Sequence, residues 1–369
     1  MASGALAGST KTAASAAASP GMNPFWTASN WYFEPQSQEI LNGSYQLTGS
    51  RKNFGIQLDT NGFLKDGRTV FRSAGAVGGT AAPDGSYSLF QQTSFQAPNG
   101  SEFFKPLSGW QYLNLQAYGR PWEGDPTQWY DYASNINPSG TIKFAPEIRH
   151  TAASLQNMDS RKQYKIQGQI GAVGDVISGT NSTAPTISFN SGIDTWAQPD
   201  AYDISDVPNQ AIPPGVALQI QRQVAVQQLN GASASNTIDA KSLTGDVFRL
   251  VMLEVRDSNN VRQDYLTSPI SYTLDNRVLA NYTLDALFGQ MHDFYGIGMM
   301  PRPTGMYVFP RFYNPVNGVG LGWMDTSNAT KLQWQSSTNS SAVNVPGTVS
   351  IIVEDVTPLQ GLPGDLLNV

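Results

Sequence analysis

The segment 348-TVSIIVEDV-356 alternates along its length, with Val349, Ile351 and Val353 on one face and Ser350, Ile352 and Glu354 on the other. That period of two is what a sheet strand with one buried face requires. Two more strand-like runs precede it, 306-MYVFPRFY-313 and 330-TKLQWQ-335. In the second, Leu332 and Trp334 stand between Lys331, Gln333 and Gln335. Asn317-Gly318 and the polar run from Ser336 to Ser341 read as turns between them. The end of the chain is therefore expected to be antiparallel β structure.

The same arrangement is echoed about half a chain earlier. Gly140, Ile142, Phe144 and Pro146 match Gly305, Tyr307, Phe309 and Pro310, and Thr186-Ile-Ser-Phe189 matches Thr348-Val-Ser-Ile351. Position 305 lies 165 residues after 140, and 348 lies 162 after 186. Two echoes at nearly one offset point to a duplicated β unit.

Composition agrees. The 369 residues suffice for two cores. Frequent Gly (35) and Pro (23) suit many short strands and turns. Charged residues make up 14%, against roughly 25% in an average soluble protein. So sparse a charge hints at a surface covered by other subunits. A net charge of −6 offers no basic arm for nucleic acid. The absence of Cys excludes disulfides and thiolate metal sites. No run approaches a membrane span, and residues 1–20 lack the apolar centre of an export signal.

Further strands are expected over 45–47, 54–58, 87–95, 103–107, 142–148, 163–170, 216–226, 248–255, 266–274 and 278–282. Asn61-Gly62 and Asn99-Gly100 read as hairpin turns. The apolar run Phe248–Val255 suits a strand buried on both faces. In 216–226 only Arg222 breaks the apolar alternation. Residues 108–140, rich in Trp, Tyr, Pro and Gly, read as a long packed loop, and 194–215 as a linker. Leu284–Tyr295 is the one helix expected in the body, with Leu284, Leu287, Phe288, Met291 and Tyr295 on one stripe. Ala13–Ala18 could add a short helical turn, too short to be stable alone.

Candidate chemistry is thin. His150 and His292 are the only histidines; His292 precedes Asp293 on a helix, where adjacent side chains point apart. Such residues are more often structural than general bases. Gly8–Thr12 mimics a phosphate loop but lacks the Gly before Lys11. Asp200, Asp203 and Asp206 do not follow a calcium-loop pattern. Glu123 and Asp125 could be a glycosidase pair, and Trp110, Trp122 and Trp129 could be sugar platforms. No catalytic, cofactor-binding or metal-ligating residue is assigned, and no enzyme activity is expected.

Asn61–Leu64, Val247–Val255, Gly305–Pro310 and Thr330–Val356, set in a layout spanning roughly residues 40–360, resemble the double jelly-roll major capsid proteins of tailless, membrane-containing icosahedral phages. The resemblance implies an all-β chain of two consecutive eight-stranded jelly rolls with a few short helices. It implies an N-terminal arm over 1–22, a first roll over 23–200 and a second over 201–369. It further implies homotrimers forming pseudo-hexagonal capsomers, located in the virion after assembly in the host cytoplasm. Neighbouring capsomers, vertex proteins and minor capsid proteins would be partners, and the arm could touch an internal viral membrane. No cofactor and no direct contact with nucleic acid are implied. The alternatives are a secreted carbohydrate-binding or carbohydrate-cleaving β-sandwich, or a viral spike or receptor-binding protein.

Overall fold

The computed structural model describes residues 34–120, 136–137, 139–148, 153–157, 161, 163–180, 183–197, 218–275, 277–295, 302–310 and 323–358. In the first half the strands are β1 (Glu34–Gln46), β2 (Lys52–Gln57), β3 (Phe63–Ala74), β4 (Thr80–Ala81), β5 (Phe90–Gln96), β6 (Glu102–Leu107), β7 (Ser139–Lys143), β8 (Leu155–Gln156), β9 (Lys165–Ile170), β10 (Ile177–Ser178) and β11 (Thr186–Ala197). Helix α1 (Gly109–Gly119) lies between β6 and β7, and the single turn α2 (Val173–Val176) follows β9. The second half holds β12 (Leu218–Gln228), β13 (Ser235–Asp239), β14 (Val247–Arg256), β15 (Ile270–Leu274), β16 (Arg277–Tyr282), helix α3 (Leu284–Tyr295), β17 (Met306–Pro310), β18 (Met324–Asp325), β19 (Leu332–Ser337) and β20 (Thr348–Pro358).

The sheet orders repeat. One sheet runs β1-β11-β3-β7, and its counterpart runs β12-β20-β14-β17. The facing sheets run β2-β9-β5-β6 and β13-β19-β15-β16. Each half is thus an eight-stranded jelly roll, a two-sheet arrangement that limits exposed edges. The sequence echoes fall on equivalent strands: 140–146 begins in β7 and 305–310 leads into β17, while 186–189 opens β11 and 348–351 opens β20. Their registers agree too, since Thr186 pairs with Gln46 and Thr348 with Gln228.

Each roll fills its interior with aromatic and branched side chains from both sheets. In the first, Phe71, Phe90 and Phe189 pack edge to face; in the second, Tyr272 stacks on Trp334 at 5.0 Å. A helix follows the fifth of the eight strands of each roll, α1 after β6 and α3 after β16.

Four expectations change. Residues 109–119 are a helix rather than loop, and the linker begins no earlier than the end of β11 at Ala197. Asn61-Gly62 makes a turn, with Gly62 at φ 52°, but not a hairpin, because β2 and β3 belong to different sheets. Asn99-Gly100 does close a hairpin, with Gln96 opposite Glu102. Finally, β20 is buried on both faces rather than one, Ile352 and Glu354 as fully as Ile351 and Val353. Expectations for residues 1–33, 121–135 and 198–217 lie outside the described residues.

Candidate functional site: the seam between the two rolls

Two of the sheets are continuous across the halves. The nine-stranded sheet runs β17-β14-β20-β12-β6-β5-β9-β2, with β12 of the second roll lying parallel to β6 of the first and Arg222 opposite Phe104. The outer face of β20 and β14 is covered by α1 of the first roll, which explains its complete burial.

Helix α1 starts on a capping box: Ser108 Oγ accepts from the Gln111 backbone N–H at 3.2 Å, and Gln111 Oε1 accepts from the Ser108 N–H at 3.1 Å. All of its residues except Gln111 are buried. A helix enclosed on every side has no polar stripe to give it periodicity, which is why its pattern does not read as helical.

Two charged clusters cross this seam. In the first, Glu354 on β20 is fully buried and accepts from Arg222 Nε at 2.8 Å and Arg249 Nε at 2.7 Å. Arg249 also donates Nη1–H to the Gly119 carbonyl of α1 at 2.8 Å. The Arg222 guanidinium lies 4.3 Å above the Phe104 ring of β6. Burial alone would raise the Glu354 pKa, but the guanidiniums of Arg249, Arg222 and Arg120 outweigh it and hold the carboxyl at about 2. Arg120, just past α1, donates to the carbonyls of Ala145 at 2.6 Å and Glu147 at 2.9 Å.

In the second cluster Asp84 of the first roll accepts from Arg256 Nη2 at 2.7 Å and Arg262 Nε at 2.9 Å, both from the second roll. Glu254 joins Arg256 and accepts from Gln111 Nε2 of α1 at 2.8 Å. Arg262 stacks over Trp110 at 3.9 Å. Above these residues lies an open cleft of about 630 Å³ that reaches Pro106 on one roll and Val224 and Val226 on the other.

This arrangement fixes orientation rather than performing a reaction. Asp84 of the first roll takes both its cations from the second, and Arg249 and Glu254 of the second bind α1 of the first; such contacts favour one relative placement of the rolls. Trp110, a candidate sugar platform, is 3% exposed and covered by Arg262, so it is not available to stack on a sugar. His292 is exposed on α3 with its Nδ1 3.3 Å from Asp293 Oδ1, so these neighbours turn toward each other instead of apart. Among the described residues no three His, Asp or Glu side chains are grouped to hold a metal, and no helix is long and apolar enough to cross a membrane. Trp122, Trp129, Glu123, Asp125, His150, Asp200, Asp203, Asp206 and Gly8–Thr12 lie outside the described residues.

The charged clusters were not assigned from sequence. Their trace there is Arg222 at an otherwise apolar position and Glu354 inside a Val/Ile run, on strands that prove to be paired with these two residues opposite each other.

Two jelly rolls in one chain, joined side by side through a parallel strand pair and a buried helix, define the double jelly-roll fold. Solved structures share it over nearly the whole chain. The structure of Sulfolobus Turreted Icosahedral Virus matches with a TM-score of 0.62 at 12% identity, covering 91% of this chain and 94% of that one. The capsid of the virus PBCV-1 matches with a TM-score of 0.61 at 11% identity, covering 89% and 96%. The major capsid protein P2 of bacteriophage PM2 matches with a TM-score of 0.54 at 9% identity, covering 89% and 99%. No protein-family model and no curated protein sequence matches this chain.

Proposed function

We propose that this protein is a structural major capsid protein that assembles as a homotrimer into pseudo-hexagonal capsomers of an icosahedral virus shell. The observation that carries this reading is the duplicated roll with a seam of ion pairs and hydrogen bonds between its halves, because it gives one chain two similar units in a set relative orientation. Three such chains around a closed three-fold axis place six rolls in a ring, and a hexagonal outline tiles a surface. The solved structures that share the fold are themselves viral capsid proteins, which favours the same role here.

Within this reading, residues 1–22 form an arm, 23–200 the first roll and 201–369 the second. The protein works by assembly and not by catalysis. It resides in the virion, assembles in the host cytoplasm, and meets neighbouring capsomers, vertex proteins and minor capsid proteins. The arm is the segment placed to meet neighbours or an internal membrane, and the acidic balance suits a shell not in contact with the genome.

Size-exclusion chromatography with light scattering tests this directly. A stable species of three times 39.9 kDa is expected. A monomer at every concentration would overturn the reading.

A further inference from the structure

The second roll holds a buried carboxylate beside another carboxylate. Asp355 on β20 is fully buried, and alternation along the strand turns it away from Glu354, to the face shared by Val349, Ile351 and Val353. That face looks into the roll. On β12 it carries Gln221, Gln223 and Gln227, and Gln227 Oε1 accepts at 3.0 Å from the Asp239 N–H of β13, in the facing sheet. Asp355 Oδ2 accepts from Gln223 Nε2 at 3.2 Å, whereas Oδ1 is buried without a hydrogen-bond partner. Against it lies Asp246, the residue before β14. Asp246 Oδ1 accepts from Thr357 Oγ1 at 3.1 Å, and its carbonyl takes the Thr326 N–H at 3.0 Å. Asp246 and Thr357 are half-buried, so they form the side of the pair nearest solvent.

Adjacent carboxylates repel, and burial sharpens the cost. Elsewhere this chain answers with its own cations: Glu354 sits among Arg249, Arg222 and Arg120, and Glu254 binds Arg256. Beyond burial itself, the groups that act on the Asp355 carboxyl are Asp246, the Gln223 amide and a backbone N–H, none of them positively charged. The repeat shows that the roll does not need an acid there. Ile193 follows Thr186 on β11 by as many residues as Asp355 follows Thr348 on β20, and it is buried in the first roll as an apolar side chain. The compensation for Asp355 therefore comes from outside the chain, as a proton or as a metal ion. A proton satisfies one oxygen. The side chains gathered here offer several: two carboxylates, a hydroxyl, and an amide whose oxygen and nitrogen exchange places by a half turn. Hard oxygen ligands of this kind suit calcium, which takes roughly six to eight and fills the rest with backbone carbonyls and water.

We propose that Asp246 and Asp355 hold a divalent cation of the calcium class inside the second roll, with Thr357 Oγ1 and the Gln223 amide oxygen as neutral ligands. The ion ties the start of β14 to the end of β20 and reaches β12 through Gln223. Its two positive charges balance the two carboxylates, and Asp355 Oδ1 gains a partner. In the metal-free protein a proton on the pair takes its place. With only two carboxylates the site belongs to the weak class, with a Kd of about 10⁻⁴–10⁻³ M. All four ligands belong to one roll of one chain, so the site is independent of how chains assemble.

Thermal melts of the full-length protein read the site, first in EDTA and then with calcium chloride or magnesium chloride at about 10 mM. The parent is expected to melt about 2–5 °C higher with calcium than in EDTA. Magnesium, which demands a tighter octahedral shell, is expected to add less. Asp246→Asn is expected to lose the calcium rise, while Asp285→Asn, on the exposed side of α3, keeps it. No rise in the parent, an equal rise with magnesium, or a calcium rise that survives in Asp246→Asn overturns the site. Should Asp246→Asn fail to fold, Thr357→Val decides in the same melts: a calcium rise smaller than the parent's is expected, and an equal one overturns the proposal.

Discussion

Arg249 of the second roll donates Nη1–H to the carbonyl of Gly119, the last residue of α1 in the first roll, while its Nε–H binds Glu354. One side chain thus ties a buried carboxylate to the end of a buried helix. Helix ends leave carbonyls without intrahelical partners, and a cation there is favourable on both hydrogen-bonding and dipole grounds. This side chain is one of the contacts that join the two rolls.

Removing one partner of a buried ion pair leaves the other uncompensated. Glu354→Gln strands the two guanidiniums of Arg222 and Arg249, and a loss of roughly 3–5 kcal/mol is expected. Urea unfolding of the variant beside the parent measures it. A loss under about 1 kcal/mol would show that the cluster does not stabilise the fold.

Stability is expected to fall as pH rises from acid to mildly alkaline. Asp355 is fully buried on β20; burial first, then the neighbouring Asp246 carboxyl, pushes its pKa up to about 8. The folded state thus keeps a proton that the unfolded chain releases near the ordinary value of 3.8. The contribution is complete below that value and is lost as pH climbs through about 8, at roughly 1.4 kcal/mol per pH unit in between. Denaturation midpoints at pH 5, 7 and 9 check this, and Asp355→Asn should flatten the trend. Glu354 sets the opposite limit: its contribution is present above its ordinary value and is lost as pH falls through about 2.

Gly168 on β9 lets β5 approach closely. A Cβ there would stand 2.1 Å from the Gln92 carbonyl oxygen and 2.9 Å from Thr93 Cα, both backbone atoms. Gly168→Ala is expected to force the strands apart and cost about 1–3 kcal/mol. Gly174→Ala meets nothing within 4 Å and serves as the control in the same thermal melts.

Trp110→Ala removes a buried ring of α1 and the surface on which Arg262 stacks. A loss of about 3–5 kcal/mol is expected from the cavity, read by urea unfolding.

Much of the fold was legible because single-face periodicity survives in most strands. The Thr-x-Ser echo located β11 and β20, and Phe248–Val255 declared its burial on both faces through apolar residues at both odd and even positions, despite Arg249 and Glu254. Helix α3 kept its stripe because its far side is polar. Helix α1 lost its stripe because a second roll covers the side that would have been polar, so the miss and the seam have one cause. The seam itself was hidden since its partners lie far apart in the chain: Asp84 and Arg256 by 172 positions, Arg249 and Gly119 by 130. Out-of-pattern charges in otherwise apolar strands, Arg222, Arg249, Glu254 and Glu354, were its trace.

Electron cryomicroscopy of the purified protein tests the central claim most directly. The account requires averaged images with a hexagonal outline, six barrel-shaped lobes and a three-fold axis, two lobes belonging to each chain. Particles with only two lobes, or assemblies in which the two rolls of a chain adopt varying orientations, would contradict it.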